Sequence, residues 1–295
     1  MIWCVTLNPS LDITYDLTDN CTPGAIHRVR SVWDRPGGKG NNAARVIATL
    51  GHAVTAVGIY GALVGAQVRH LLSEQDIPLL WEPCLGETRR CITILAPNGL
   101  SEIREAGPFM ATEVGAKLLY ALCERVNPHD WVTLSGSLPV DWPDDTYQTW
   151  ITHLQQKVQG IIVDTSGPPL EYAMRASPTI IVPNLDEYKE IQYVPQHSSH
   201  IITTMGAGGA VWRPPESSSP LKFVAPVVSV VNSVGAGDAF LGGIVSSLDE
   251  GCCYRDAIRF AVAVGTASVL TPAVADIDLQ AVPDLYAQVT IREEQ

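Results

Sequence analysis

The chain has 295 residues, 46% of them hydrophobic and 17% charged, and carries 31 acids against 19 lysines and arginines for a formal net charge of −12. That composition supports a large core and excludes a disordered chain. It argues against nucleic-acid and anionic-membrane partners, both of which need clustered cations. Seven cysteines, an odd number without a Cys-x-x-Cys pair, fit a reduced cytoplasmic protein better than a disulfide framework or a zinc site. No long apolar run predicts a membrane span, and the N-terminus lacks the basic segment of a signal peptide.

In chain order, residues 2–7 predict an apolar strand, closed by a turn at Asn8-Pro9. Residues 12–17 and 25–34 alternate in polarity and carry β-branched side chains, the pattern of half-buried antiparallel strands. Pro36-Gly37-Gly38 breaks that pattern, and a helix follows over 41–50, ending at Gly51. Residues 53–59 read as a buried strand and 64–74 as a helix. A second alternating block, 88–95, turns at Pro97-Asn98-Gly99 and returns over 100–105, a hairpin signal.

From residue 111 the rhythm changes. Helices over 112–126 and 144–158 precede strands over 130–135 and 160–164. Strand 179–182 leads to a helix near Asp186, and strand 200–204 follows. Residues 214–220 read as an exposed low-complexity loop. A β-branched run at 227–231 predicts a strand, and helices from Gly237 and Asp256 close the chain. Helix–strand alternation implies an α/β fold with a parallel sheet covered on both faces. The alternating blocks then form a small antiparallel lid, residues 10–36 and 86–106. The large α/β domain takes 1–9, 37–85 and 107–295.

Two glycine segments carry chemistry. Asn232-Ser233-Val234-Gly235-Ala236-Gly237-Asp238 joins the 227–231 run to a helix. Free N–H groups at such a helix start converge on one point, and the helix dipole favours an anion there. A carboxylate beside an anion site suits a general base that takes a hydroxyl proton during phosphoryl transfer. Taken alone, Asp238 suits an ordinary first-turn helix residue better than a base. Pro36-Gly37-Gly38-Lys39-Gly40-Asn41-Asn42 is not a Walker A loop, because no Ser or Thr follows the lysine. Lys39 is suited either to a substrate phosphate or to solvent.

Together with Thr6-Leu7-Asn8-Pro9-Ser10-Leu11-Asp12, Gly86-Glu87-Thr88-Arg89, Leu134-Ser135-Gly136-Ser137-Leu138-Pro139, Asp164-Thr165-Ser166-Gly167, Pro183-Asn184-Leu185-Asp186-Glu187 and Met205-Gly206-Ala207-Gly208-Gly209-Ala210, these segments stand in one specific order. In that order the chain resembles the ribokinase/PfkB carbohydrate kinases, within them the phosphofructokinase-like branch, from Val5 to about Leu270.

The resemblance implies a ribokinase-like three-layer α/β/α sandwich with a small β lid, using ATP and Mg2+ on a phosphorylated ketohexose. It implies that Asp12, Gly38, Asn42 and Ser137 contact the sugar, and that Lys39, Arg89 and Arg104 hold its phosphate. Gly235, Ala236 and Gly237 form the anion hole, with Asp238 as base. Thr204, Gly206 and Gly209 belong to the nucleotide loop, and Asn184 and Glu187 hold magnesium through water. Read singly, Asn184 and Glu187 also fit a helix cap. The resemblance further implies a homodimer through the lid. Arg104 stands where many 1-phosphofructokinase-like members have asparagine, which leaves the sugar phosphate open. A kinase for an unphosphorylated sugar and a non-catalytic sugar-phosphate sensor are the alternatives.

Overall fold

The computed structural model describes residues 1–191, 199–215 and 219–294. The first strand, β1 (Ile2–Thr6), is buried throughout. Ile2 and Cys4 enter one core, and Trp3 and Val5 enter another. A strand apolar on both faces needs cover on both sides, which places it inside a sheet. There follow β2 (Ser10–Leu17), β3 (Val29–Gly37), α1 (Lys39–Thr49), β4 (Val54–Gly61), α2 (Ala62–Ser73) and β5 (Leu79–Cys84). Next come β6 (Arg89–Ala96), β7 (Gly99–Arg104), α3 (Thr112–Cys123), β8 (Trp131–Ser135), α4 (Thr146–Leu154), β9 (Gly160–Asp164) and α5 (Pro168–Arg175). The remainder is β10 (Ile180–Ile181), α6 (Leu185–Glu190), β11 (His200–Thr204), β12 (Ala210–Arg213), β13 (Leu221–Val224), α7 (Ala236–Asp249), α8 (Tyr254–Ser268), α9 (Val282–Gln288) and β14 (Thr290–Glu293).

Ten strands form one sheet in the order β14-β13-β12-β11-β10-β9-β8-β1-β4-β5. Pairings from β11 through β5 are parallel, and β12, β13 and β14 extend the sheet antiparallel. Side chains of α1, α2, α7, α8 and α9 fill the core on one face, and those of α3, α4 and α5 the core on the other. This is the expected three-layer sandwich. From β1 the chain builds outward to β4 and β5, then returns to add β8 and its successors on the opposite side. Such a reversal opens a crevice at the carboxyl ends of the strands, here between β1 and β8.

A separate four-stranded sheet has the order β3-β2-β6-β7. Its hairpin pairings, β2 with β3 and β6 with β7, are antiparallel, but β2 and β6 run parallel. The small sheet is therefore mixed. Between β2 and β6 the chain passes through α1, β4, α2 and β5, a crossover long enough to bring it back in the same direction. Register rows set its faces. Asp12 lies opposite Cys91, and Cys91 opposite Arg104, on one face. Ile13, Ile92 and Ile103 form the neighbouring row on the other face.

Residues 227–231 are not a strand: they follow β13 as an irregular extended segment. Pro226 lacks an N–H for a ladder, and Val231 N–H donates to the Val269 carbonyl at the end of α8 instead. β5 has no counterpart in the sequence reading. Its Glu82 and Pro83 obscure the pattern, and it is tolerated because it is the last strand on its side of the sheet. α5, α9, β12, β13 and β14 are likewise additions. Of the loop read at 214–220, residues 216–218 lie outside the described residues.

Candidate active site

The crevice collects the strand-end motifs. Asn8 after β1 donates from Nδ2 to Ser137 Oγ, just past β8, at 3.3 Å. The helix α1 opens at Gly38, whose φ of 90° an L side chain rarely adopts. A side chain there would also collide with Thr6 and Pro9, so glycine lets α1 start against the end of β1. That places Lys39 and Asn42, one turn apart, on the crevice.

The turn before α7 is shaped by Asn232, which is 2% exposed. Its Oδ1 accepts from Val234 N–H at 2.9 Å, and its Nδ2 donates to the Pro272 carbonyl at 2.9 Å. Gly235 is left-handed at φ 85°, and no side chain caps the helix. Ala236 N–H makes a long bond to the Ser233 carbonyl at 3.4 Å, and the turn otherwise offers backbone donors and the positive end of the dipole. Asp238 stands in that turn. Its Oδ2 accepts from Asn42 Nδ2 at 2.9 Å, and the same amide nitrogen lies 3.3 Å from Asp12 Oδ2. Ser10 Oγ donates to the other Asp12 oxygen at 2.6 Å.

Burial pushes the Asp238 carboxyl up to about 7, with Lys39 pulling against that shift and Asp164 adding to it. Burial raises Asp12 as well, with the Ser10 and Asn42 hydrogen bonds opposing. A carboxylate poised near neutrality is matched to proton abstraction. Lys39 Nζ reaches Asp164 Oδ1 at 2.6 Å. Burial favours loss of the Lys39 proton, but Asp164, with Asp238 and Glu187, outweighs it and holds the ammonium charged.

A cavity of about 350 Å3 opens over this cluster. The polar face of the small sheet contributes Asp12, Cys91, Glu102 and Arg104, and the large sheet's side contributes Gly38, Lys39, Asn42 and Asp238. Arg89 also lines it, held by the Asn8 carbonyl through Nε at 3.2 Å and Nη2 at 3.1 Å. Arg104 pairs with Glu102 at 2.7 Å. A second cavity of about 340 Å3, mostly apolar, is lined by Pro226, Val228, Phe240 and Val262 and also by Thr204, Gly206 and Gly209. Gly237 and Ser233 line both, so the two cavities meet at the start of α7. Val227, Val228 and Val230 therefore line a cavity rather than pair in the sheet. A wider cleft of about 500 Å3 adjoins at Thr204 and Gly206, lined by Asn184, Glu187 and Glu190.

Residues 5–280 match the pfkB family of carbohydrate kinases. The chain belongs to that family. It is thus a carbohydrate kinase. Its fold is shared with phosphofructokinase-2 from Escherichia coli, at 24% identity and a TM-score of 0.87 over 97% of this chain and 98% of that one. A candidate phosphofructokinase from Staphylococcus aureus is 26% identical, with a TM-score of 0.80 over 100% and 99% of the two chains. A candidate 1-phosphofructokinase from Thermotoga maritima is 20% identical, with a TM-score of 0.86 over the full length of both. The Staphylococcus aureus neighbour, at 26% identity, supports the phosphofructokinase-like branch of the family.

Of the residues picked out from sequence, the polar cavity of about 350 Å3 collects Asp12, Gly38, Lys39, Asn42, Arg89, Arg104, Gly235, Gly237 and Asp238. Ala236, Thr204, Gly206 and Gly209 line the apolar cavity. Ser137 is exposed and does not line the polar cavity; its hydroxyl accepts from Asn8 Nδ2. Asn184 and Glu187 form a reciprocal cap on α6: Asn184 Oδ1 accepts two N–H groups, and Glu187 Oε2 accepts from Asn184 N–H at 2.8 Å. Sequence reading assigned no role to Asp164, Glu102, Asn232 or Arg45. Asp164 had a signal, an acid at the carboxyl end of a buried strand. Arg45 had none, being one charged residue inside an amphipathic helix.

Proposed function

We propose that the kinase transfers the γ-phosphoryl group of ATP to a hydroxyl of a ketohexose phosphate: fructose 1-phosphate, fructose 6-phosphate or tagatose 6-phosphate. The observation that carries this reading is the junction of the two cavities at Gly237, with Asp238 beside it. The cation-lined cavity suits a sugar phosphate, and the apolar one suits a planar base. Asp238 takes the hydroxyl proton as the oxygen attacks. The amides of Gly235, Ala236 and Gly237 receive charge that develops on the transferred group. Lys39, Arg89 and Arg104 hold the phosphate already present, and Asp12 and Asn42 orient the hydroxyls. The small sheet serves as a lid that excludes water.

The α6 cleft tests the place of a divalent cation. Asn184 Oδ1 and one Glu187 oxygen are engaged in the cap, so this pair does not suit direct coordination by both side chains. Among the described residues, no group of three or more His, Cys, Asp or Glu side chains is placed to hold an ion. Contact through retained water fits, with Glu187, Asp186 and Glu190 supplying an acidic cleft wall. Magnesium bound there would neutralise phosphate charge during transfer.

One observation favours a second reading, a kinase for an unphosphorylated sugar. Lys39 and Arg104 have protein counter-ions, and Arg89 has carbonyl partners. A coupled ADP-release assay over free sugars and sugar phosphates decides. We expect activity on at least one of the three ketohexose phosphates; turnover of free sugars alone would refute the substrate assignment. The apolar face of the small sheet, with Ile103 56% and Val32 54% exposed, supports a homodimer through the lid. Light scattering should give twice the chain mass, and a lone chain's mass would remove that assignment. Among the described residues, no helix is long and apolar enough to cross a membrane.

A further inference from the structure

We infer that Asp276 is a positioning residue that ties the small sheet to the site and sets the Asn42 amide against Asp238. The inference rests on the reading of Asp238 as base. Asp276 lies between α8 and α9, outside every motif above. Its carboxylate receives Arg35 Nε at 3.0 Å and Nη2 at 2.7 Å. Arg35 is on β3, and its register partner on β2 is Asp12. The same carboxylate pairs with Nη2 of Arg45 on α1. Arg45 is 3% exposed, and a charge so buried requires a counter-ion. Its Nη1 donates to the Val274 carbonyl at 3.0 Å and to Asn42 Oδ1 at 3.3 Å.

That last contact carries the chemistry. A carboxamide has one donating end and one accepting end. A guanidinium on Oδ1 leaves Nδ2 to face Asp238 at 2.9 Å and Asp12 at 3.3 Å. A flipped amide would aim its oxygen at two carboxylates. Asp276, Arg45, Asn42 and Asp238 thus form a directional series in which each contact dictates the next. The same loop also backs the anion-hole turn. A Cβ on Gly235 would lie 2.6 Å from Ala275 N and 3.0 Å from Val274 Cγ1, so residues 274–275 set how far that turn can retreat. A purely structural brace would lower stability and leave turnover per folded molecule unchanged.

Steady-state kinetics on folded variants separate the two. Asp276→Asn should lower kcat by at least about tenfold and, because it also breaks the Arg35 pair, raise the sugar KM at least about threefold. Arg35→Gln leaves the Arg45–Asp276 pair whole and should raise the sugar KM at least about threefold through the small sheet. Wild-type kcat in Asp276→Asn, or a loss confined to stability, overturns the positioning role. Unchanged kinetics in Arg35→Gln overturn the tie to the small sheet. If Asp276→Asn does not fold, Arg45→Lys carries the test. It keeps the charge but cannot serve Asp276, Val274 and Asn42 together, and wild-type kcat in it is equally fatal. Asp238→Ala measured alongside distinguishes the failures. Activity in it removes the base assignment itself, whereas an inactive Asp238→Ala beside a fully active Asp276→Asn removes only the role of Asp276.

Discussion

Asp238→Asn lowers kcat by about 10^2- to 10^4-fold, the range expected for loss of a positioned general base, and raises stability at pH 8. Both effects have one cause. Burial lifts the Asp238 carboxyl from an ordinary 3.8 to about 7 in the folded protein. The folded state therefore holds a proton that the unfolded chain releases near 3.8. The group's contribution to stability is fully present below that value and is lost as pH rises through about 7. Above that, the ionised carboxylate costs the fold up to about 4 kcal/mol, because each pH unit between the folded and unfolded ionisations is worth about 1.4 kcal/mol. Asparagine keeps the Asn42 neighbour and removes the charge. Urea unfolding should show a gain at about pH 8 that fades toward about pH 4. In the wild type, kcat/KM should fall about tenfold per unit below about pH 7. A variant that is active, or less stable at pH 8, would contradict the assignment.

Lys39→Met moves that pH profile to the alkaline side by about one unit. Lys39 is the largest influence holding the Asp238 ionisation down, and Asp164 and Asp12 push it up. Without the ammonium, three acids face one another across the crevice. The variant then loses most activity at about pH 7 and recovers part of it at about pH 9. Asp164, with a side chain 5% exposed, also loses its counter-ion. Because the Lys39 side chain is 40% exposed, the expected stability loss is about 1–2 kcal/mol rather than the full penalty of breaking a buried pair. If Lys39 also receives the substrate phosphate, the KM for a sugar phosphate rises more than about tenfold. An unmoved pH profile would remove its role as counter-ion to Asp238, and an unmoved KM its role at the phosphate.

The two roles of Lys39 show where sequence reading stops. Its position at a glycine-opened helix start was legible, because Pro36-Gly37-Gly38 breaks the preceding strand. Its partner Asp164 was not, since 125 residues separate them and neither residue type dictates the other. Asn184 and Glu187 show the converse: their spacing supports both a capping box and an ion site, and the structure displays the cap.

The strand assigned to 227–231 failed for a related reason. β-branched runs report a preference for extended backbone, which a sheet and an extended wall of a cavity share. Only the position of α8, whose Val269 carbonyl takes the Val231 N–H, decides between them. The mixed pairing of the small sheet is of the same kind. Alternation shows that β2 and β6 each have one polar face, but not that they run side by side in the same direction.

What the sequence by itself determined, then, was local: the helix–strand rhythm of the sandwich, the glycine turns that open α1 and α7, and the family order of motifs that marks Asp238. These follow from periodicity, backbone freedom and capping, which act over a few residues. The tertiary structure alone decided which charges meet. Asp164 on Lys39, Glu102 on Arg104, and Asp276 between Arg35 and Arg45 are contacts that only the folded chain creates, and burial of Asp238 among them sets its ionisation. Electrostatic character depends on distance and desolvation in space, and neither quantity is written in the spacing of residues along the chain.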